Sequence, residues 1–139
     1  MKKCLVLLIL PLLSVMSGCE KAERLENKLE GTWELRHLTG FVPQERLGNR
    51  PPGNGDIYKF QGNNFERHFD GKIADSGTFS VKKETSNHNE KLEFILLLDG
   101  LKYKQSIPFK LVDGKLTLHF GNLASDGAIG TYGKVDRTF

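Results

Sequence analysis

The chain has 139 residues, with 20 Lys and Arg against 17 Asp and Glu, and this length predicts a single domain. When Lys2 and Lys3 are set aside as part of an N-terminal signal, 18 basic residues remain against 17 acidic ones. This near-balance argues against the basic footprint of a nucleic-acid-binding protein. Of the two cysteines, Cys4 lies in the signal and only Cys19 lies beyond it. We therefore expect no intrachain disulfide and a stability that rests on a packed core.

Residues 1–18 have the pattern of a secretory signal. Lys2 and Lys3 precede an apolar run at residues 5–15, and small residues follow it. The run is too short for a membrane-spanning helix. Met16-Ser17-Gly18-Cys19 resembles the lipobox of bacterial lipoproteins. The resemblance implies cleavage before Cys19, which would carry acyl chains such as palmitate and anchor the protein in a membrane of the cell envelope, with the outer membrane favoured. The alternative is an ordinary secretory signal in which the cysteine is incidental.

Residues 19–30 are predicted to be a tether between the lipidated cysteine and a folded domain at residues 31–139. The segment is charged, and Leu25 and Leu29 lie four residues apart. An isolated helix of this length is marginal in water. We therefore expect a tether that forms one helical turn against the base of the domain.

The first predicted strand, at residues 32–39, contains the only tryptophan of the chain. Trp33 and Leu35 are two residues apart, so a strand places them on the same face. Leu38 is out of phase with this pair, which predicts a β-bulge near Arg36-His37.

Seven further strands are predicted along the rest of the chain, joined mostly by short turns. Asp70-Gly71, Asp99-Gly100 and Asp113-Gly114 are strong signals for two-residue hairpins. Gly77 predicts a bend or bulge within its strand. Longer connections are predicted at residues 41–55, 84–90 and 121–128. The first of these is rich in Pro and Gly, and loops of its length are often functional. The predicted strands are residues 56–60, 65–69, 73–82, 92–98, 101–111, 115–120 and 129–137.

Eight short strands with tight turns predict an all-β fold, an antiparallel up-and-down barrel. The chain from about residue 29 to residue 139 resembles the lipocalin-like domains of small bacterial lipoproteins. The resemblance implies that Trp33 closes the base of the barrel beneath a late arginine, here Arg137, and that the first loop lies as a lid across the mouth. The lipocalin disulfide and long C-terminal helix are absent, which points to a minimal version. The matching segments are Gly31-Thr32-Trp33, Tyr58-Lys59-Phe60, Ser76-Gly77-Thr78-Phe79 and Gly114-Lys115-Leu116-Thr117-Leu118.

In such a barrel, alternate connections meet at the same end. Residues 41–55 and 121–128 would thus lie at the mouth, and the tether would attach at the opposite end. Strand alternation predicts an inward face with a few polar groups among apolar ones. A buried guanidinium needs an anionic partner, so we predict that Arg67 holds a small amphipathic acid. Two alternatives remain open: Arg67 pairs with a nearby carboxylate or lies at a rim, or large side chains fill the barrel completely. The predicted ligand-binding residues are Phe65, Arg67, Phe69, Phe94, Tyr103 and Gln105.

The sequence contains no motif that predicts a metal site, a cofactor or a catalytic centre. The four histidines are scattered, and no metal-binding spacing or nucleophile motif is present. Glu66, His68 and Asp70 share one strand face, which alternation assigns to solvent.

We therefore expect a non-enzymatic, lipid-anchored barrel that binds a small apolar or amphipathic molecule. A second hypothesis is a filled barrel that contacts or inhibits another envelope protein through residues 41–55 and 121–128. An enzyme is the least favoured hypothesis.

Overall fold

The computed structural model describes residues 17–84, 94–121 and 125–136, with side chains from residue 21 onward. One helix precedes a series of strands in this part of the chain. The elements are α1 (Ser17–Leu29), β1 (Gly31–Gly40), a 3₁₀ turn (Gln44–Arg46), β2 (Gly48–Asn49), β3 (Ile57–Gln61), β4 (Asn64–Phe69), β5 (Lys72–Lys83), β6 (Phe94–Gly100), β7 (Lys104–Val112), β8 (Lys115–Phe120) and β9 (Ala128–Val135).

The strands form a closed antiparallel barrel, as predicted. Each strand from β3 to β9 pairs with its neighbour in sequence, and β1 pairs with both β3 and β9. The long β1–β9 pairing runs from Thr32 opposite Val135 to Gly40 opposite Ala128 and closes the sheet. Eight strands therefore make up the wall, and the two-residue β2 is an addition beside β1. This architecture is consistent with a lipocalin-like fold.

The bulge predicted in the first strand is confirmed. The register of β1 against β9 shifts between Leu35 and His37. The extra residue turns Leu38 back to the inside, so that Trp33, Leu35 and Leu38 are all buried although their spacing is irregular.

Two of the three predicted hairpin turns are confirmed. Asp70 and Gly71 both have positive φ, at 49° and 75°, and Asp113 and Gly114 have φ of 51° and 68°. Positive φ at both central residues is the type I′ geometry, which matches the twist of the flanking strands. The turns connect β4 to β5 and β7 to β8.

The third predicted turn, Asp99-Gly100, is wrong. Both residues belong to β6, where Gly100 lies opposite Gly77 and Asp99 opposite Thr78. The chain turns at Leu101–Tyr103 instead, and the predicted strand 101–111 begins only at Lys104. A Cβ on Gly100 would lie 2.2 Å from Asp75 Oδ2, so this glycine allows a close approach between strands rather than a turn.

Gly77 serves the same close approach. It is regularly paired with Phe65, and the irregularity between β4 and β5 lies three residues earlier, opposite Arg67/His68, where Ala74 is the extra residue. A Cβ on Gly77 would lie 2.1 Å from the carbonyl oxygen of Asp99. The glycine therefore allows a close contact between strands. Of the bend or bulge predicted at Gly77, the bulge is wrong, because the register shift lies at Ala74.

The segment before the barrel forms a helix that is longer than the single turn expected. Helix α1 has 13 residues, and Ala22, Leu25 and Leu29 pack against the barrel core from one face. The side chain of Glu26 accepts a hydrogen bond of 2.6 Å from the backbone N–H of Val81, in the part of β5 that extends beyond its pairing with β4. Tertiary packing thus stabilises a helix that would be marginal alone.

Trp33 is buried at the end of the barrel where this helix packs. Its indole Nε1 donates a hydrogen bond of 2.6 Å to the carbonyl oxygen of Leu29, which joins β1 to the end of α1. The Nζ of Lys134 lies 5.5 Å from the centre of the indole ring, within the range of a cation–π contact. Arg137, which we predicted over this ring, lies outside the described residues.

The lower half of the barrel is filled by large apolar side chains. Phe60 packs edge to face on Phe79, with ring centroids 4.8 Å apart. Leu96, Leu116 and Leu118 are fully buried beside them. This close-packed core stabilises the barrel.

The long loop after β1 divides into two parts. The first part contains the 3₁₀ turn Gln44–Arg46 and lies at the mouth. The second part returns along the outside of β1, where Asn49 pairs with His37. The buried Glu34 carboxylate accepts the N–H of Gly53 at 2.7 Å and thereby holds this second part on the wall.

Candidate functional site

A cavity of about 390 Å³ opens at the mouth, above the filled base. The barrel is thus neither empty nor completely filled. The volume lies at the lower end of the range of small-molecule pockets. Apolar side chains form most of the wall, and polar groups are confined to a few positions. The lining residues that we discuss below are Leu35, Leu38, Arg46, Asp56, Tyr58, Phe65, Arg67, Phe69, Ala74, Asp75, Tyr103, Gln105, Phe120 and Tyr132.

Arg67 is at the centre of the polar group. It lies on β4, where it pairs with Tyr58 of β3, and its guanidinium lies 4.5 Å from the centre of the Tyr58 ring. Nη1 donates to the hydroxyl oxygen of Tyr132 at 3.4 Å, and Nη2 lies 3.4 Å from Asp56 Oδ1. One aromatic face, one phenol and one carboxylate therefore fix the guanidinium.

Asp56 provides the internal carboxylate that the sequence left as an alternative for Arg67. Its side chain is 3% exposed, and its second oxygen, Oδ2, lies 3.4 Å from Nη2 of Arg46. Arg46 belongs to the 3₁₀ turn of the mouth loop, and its guanidinium lies 4.6 Å from the centre of the Phe69 ring. One buried carboxylate thus lies between two arginines, one from the barrel wall and one from the loop.

Burial and this electrostatic group determine the protonation of the site. Burial raises the pKa values of both the Tyr58 and the Tyr132 phenol above the usual range, although Arg67 opposes both shifts. For Arg67, burial acts to lower the pKa, but Tyr58, Tyr132 and Asp56 together raise it above its ordinary value. At neutral pH the site therefore presents a guanidinium cation beside two neutral phenols.

A second carboxylate on the cavity wall, Asp75, holds the neighbouring mouth loop. Its Oδ1 accepts the backbone N–H groups of Ser76 and Lys102 at 2.9 and 3.1 Å, and Oδ2 accepts that of Tyr103 at 3.2 Å. Backbone donors therefore occupy both oxygens of Asp75 and position the loop Leu101–Tyr103 at the rim.

Five of the six residues that we predicted to bind a ligand line this cavity. Phe65, Arg67 and Phe69 do so from β4, and Tyr103 and Gln105 do so at the exposed rim. Phe94 does not line it. It lies at the base end of β6, where its ring packs against Phe109 at 6.4 Å. That the lining residues bind a ligand stays a prediction.

The sequence argument missed several polar residues of the cavity. Asp56 follows the loop directly, and the pairing of Tyr58 with Arg67 brings it beside that residue. Tyr132 comes from the far end of the chain, across the barrel. For Asp56 and Tyr58 the sequence did contain a signal. The two residues are two positions apart, so alternation along β3 places them on the same face. Only the β1–β9 closure reveals Tyr132, and only the loop conformation reveals Arg46.

The rim of the cavity is apolar and exposed. Among the described residues, six large apolar side chains are exposed, and all but Val112 lie at the mouth. Leu101 is the most exposed of them, at 86%. The other four are Phe41, Leu47, Ile73 and Tyr103. Apolar surface therefore continues from the rim into the cavity wall.

Other chemistry-bearing side chains lie outside the cavity. His68 lies 3.0 Å from Glu66 on the outer surface of β4, and Lys59 lies 3.9 Å from the same carboxylate. Within the described ranges, no three His, Cys, Asp or Glu side chains are placed to hold a metal ion. In the same residues, no helix has the length and apolar character to cross a membrane. Cys19 lies in the first turns of α1.

Comparison of the chain with protein-family models, with curated proteins and with solved structures finds no match.

Proposed function

We propose that this protein is a lipid-anchored barrel of the bacterial cell envelope that binds one small amphipathic molecule in its mouth cavity. The observation that carries the proposal is the cavity of about 390 Å³, with a mostly apolar wall and a cluster of polar side chains around Arg67. An amphipathic molecule needs one apolar surface and one set of directional polar partners, and this cavity offers both. The exposed apolar rim supports the proposal because it provides a path of entry for an apolar tail.

The anchor in this proposal is the acylated Cys19. Helix α1 supports it, because its 13 residues extend about 20 Å at 1.5 Å per residue and dock on the barrel base. A lipid on Cys19 would thus hold the barrel by its closed end, with the mouth directed away from the membrane. The test is metabolic labelling of the full-length protein with an alkyne analogue of palmitate. We expect label on the wild type and none on Cys19→Ser. An unlabelled wild type would refute the anchor.

Ligand binding is tested with the neutral fluorophore N-phenyl-1-naphthylamine. Described core and cavity side chains begin at Ala22, so a chain starting at residue 20 keeps all of them and shortens α1 by its first three residues. We expect saturable binding of one fluorophore per chain. Ala74→Phe, which places a ring in the cavity, should abolish binding, whereas Val112→Phe at the opposite end should not. Equal binding by both variants would place the fluorophore elsewhere and refute the proposed site.

The second candidate function is contact with another envelope protein through the mouth loops. The exposed apolar residues Phe41, Leu47 and Leu101 favour it, since solvent-exposed apolar patches often mark interaction sites. A photo-crosslinking amino acid at Leu101, introduced in cells of the native host, should yield a discrete crosslinked protein. The same amino acid at Val112 is the control. Identical products from both positions would count against contact through the mouth.

A further inference from the structure

Two arginines share one carboxylate in the cavity, and neither makes a short ion pair with it. Arg46 and Arg67 each place a guanidinium nitrogen 3.4 Å from an Asp56 oxygen. Charge-assisted N–H···O bonds are usually 2.7–2.9 Å long. The arrangement therefore brackets the carboxylate loosely, with both guanidiniums directed toward the same space.

Around the two arginines, hydrogen-bond donors outnumber acceptors. Each guanidinium carries five N–H donors and no acceptor. The acceptors beside them are Asp56 and the phenol oxygens of Tyr58 and Tyr132, and backbone N–H groups already occupy Asp75. An incoming headgroup that only accepts hydrogen bonds would meet unused donors, whereas a donor headgroup would compete with the arginines.

The aromatic rings keep the guanidinium edges available. Arg46 stacks on Phe69 and Arg67 stacks on Tyr58, at 4.6 and 4.5 Å from the ring centroids. Stacking uses the face of a guanidinium and leaves its N–H edges for planar, bidentate recognition of an anion. The side chains of Arg46 and Arg67 remain 33% and 23% exposed, which is consistent with access from the cavity.

We propose that Arg46 and Arg67 form a clamp for the anionic oxygen headgroup, carboxylate or phosphate, of a single-chain amphipath. This inference rests on the proposed ligand-binding function and specifies the class of ligand. The headgroup binds across the two guanidiniums beside Asp56, and the chain lies against Leu35, Leu38 and Phe120.

The clamp also connects the mouth loop to the barrel wall. Arg46 lies in the 3₁₀ turn of the loop, and Arg67 lies in β4. A headgroup held by both residues therefore links a loop to a strand, and the bound ligand itself fastens the loop over the cavity. An apolar molecule without a headgroup would fill the same space without this link.

The test uses four probes with the same tail, each displacing N-phenyl-1-naphthylamine from the chain that starts at residue 20. The probes are decanoate, decyl phosphate, decanol and decyltrimethylammonium. We expect one of the two anions to displace the fluorophore at a concentration at least about tenfold lower than decanol. The better anion identifies the natural headgroup. Equal potency of decanol and both anions, or highest potency of the cation, would overturn the clamp and leave the proposed function intact.

Variants assign the effect to the two arginines. Arg46→Gln and Arg67→Gln should each weaken the better anion about tenfold and leave decanol unchanged, whereas Lys110→Gln on the outer surface of β7 should change neither. Arg46 lies in a surface loop, so its variant keeps the test decisive if Arg67→Gln does not fold. Unchanged anion binding in Arg46→Gln would refute the two-arginine arrangement. If the fluorophore does not bind to wild type at all, the proposed function itself fails.

Discussion

The substitution Asp56→Asn tests whether the buried carboxylate is the electrostatic centre of the mouth. Asp56 is the only carboxylate within ion-pair distance of Arg46 and Arg67 among the described residues. Asparagine keeps the size of the side chain and its carbonyl oxygen but removes the charge. The variant therefore leaves two guanidiniums near each other with no anion between them.

The expected loss can be estimated from burial. Breaking a buried ion pair by removing one partner costs about 3–5 kcal/mol. Because Arg46 and Arg67 remain 33% and 23% exposed, solvent screens part of their charge, and we expect the free energy of unfolding to fall by about 2–3 kcal/mol. For a domain of this size, that corresponds to a decrease in Tm of roughly 8–12 °C.

Urea unfolding followed by Trp33 fluorescence measures the loss, because Trp33 is buried in the native barrel. The matched control is Asp99→Asn, whose carboxylate is 61% exposed and lies 3.2 Å from Lys104. Its effect should stay within about 0.5 kcal/mol, as is usual for surface pairs. The double variant Asp56→Asn with Arg67→Met should recover part of the loss. A loss below about 1 kcal/mol for Asp56→Asn, or simple additivity in the double variant, would refute the reasoning.

Three further predictions concern the helix, the loop and the phenols. Leu29→Ala should lower the free energy of unfolding by about 3 kcal/mol in urea, because Leu29 is fully buried; a free tether would show no change. Glu34→Ala should cost about 1–3 kcal/mol and speed hydrogen exchange of the Gly53 amide, which loses its acceptor; unchanged exchange would contradict the anchoring role of Glu34. The raised pKa values of Tyr58 and Tyr132 mean that the fold favours their neutral phenols. The contribution of these phenols to the free energy of unfolding is therefore fully present below about pH 10 and decreases as the pH rises above it. Tyr132→Phe should reduce the fall in the urea midpoint between about pH 9 and pH 11, and an equally steep fall would argue against this phenol.

Local patterns in the sequence predicted most of the barrel, because the two-residue alternation of a strand is visible in the order of its apolar and polar residues. Alternation and turn chemistry placed the strands and two type I′ hairpins, and the phase slip before Leu38 revealed the bulge in β1. The turn predicted at Asp99-Gly100 was wrong because an Asp-Gly pair can occupy either a tight turn or a strand that lies close to its neighbour. Only the position of the partner strand, with Gly77 opposite Gly100, distinguishes the two.

The helix could not be predicted for a related reason. Its own propensity is marginal, and its stability comes from the fit of Ala22, Leu25 and Leu29 on the barrel base. That surface exists only after strands distant in sequence have come together. A pattern of three apolar residues among charged ones is therefore compatible with both a tether and a docked helix.

The candidate site was predicted in part, because alternation shows which face of a strand points inward but not the height at which a residue lies. Phe65 and Phe94 are both on inward faces, yet one lines the cavity and the other packs in the base. Likewise, the need of Arg67 for an anion was evident, whereas its partner Asp56 depends on the register between β3 and β4.

The base of the barrel is packed with apolar side chains, whereas its mouth contains charged groups, and the first feature makes the second possible. The base contains the aromatic core around Phe60 and Phe79, and α1 seals it, so most apolar burial is complete below the cavity. The mouth can therefore hold loosely bracketed charges that a uniformly packed core would exclude. The negative charge of Asp56 lies between the two arginines and offsets their mutual repulsion. Its distances of 3.4 Å from both guanidiniums leave their N–H donors open to another acceptor. In the proposed clamp, the same carboxylate stabilises the barrel and competes with the anionic headgroup. Asp56→Asn should therefore weaken the fold and strengthen anion binding.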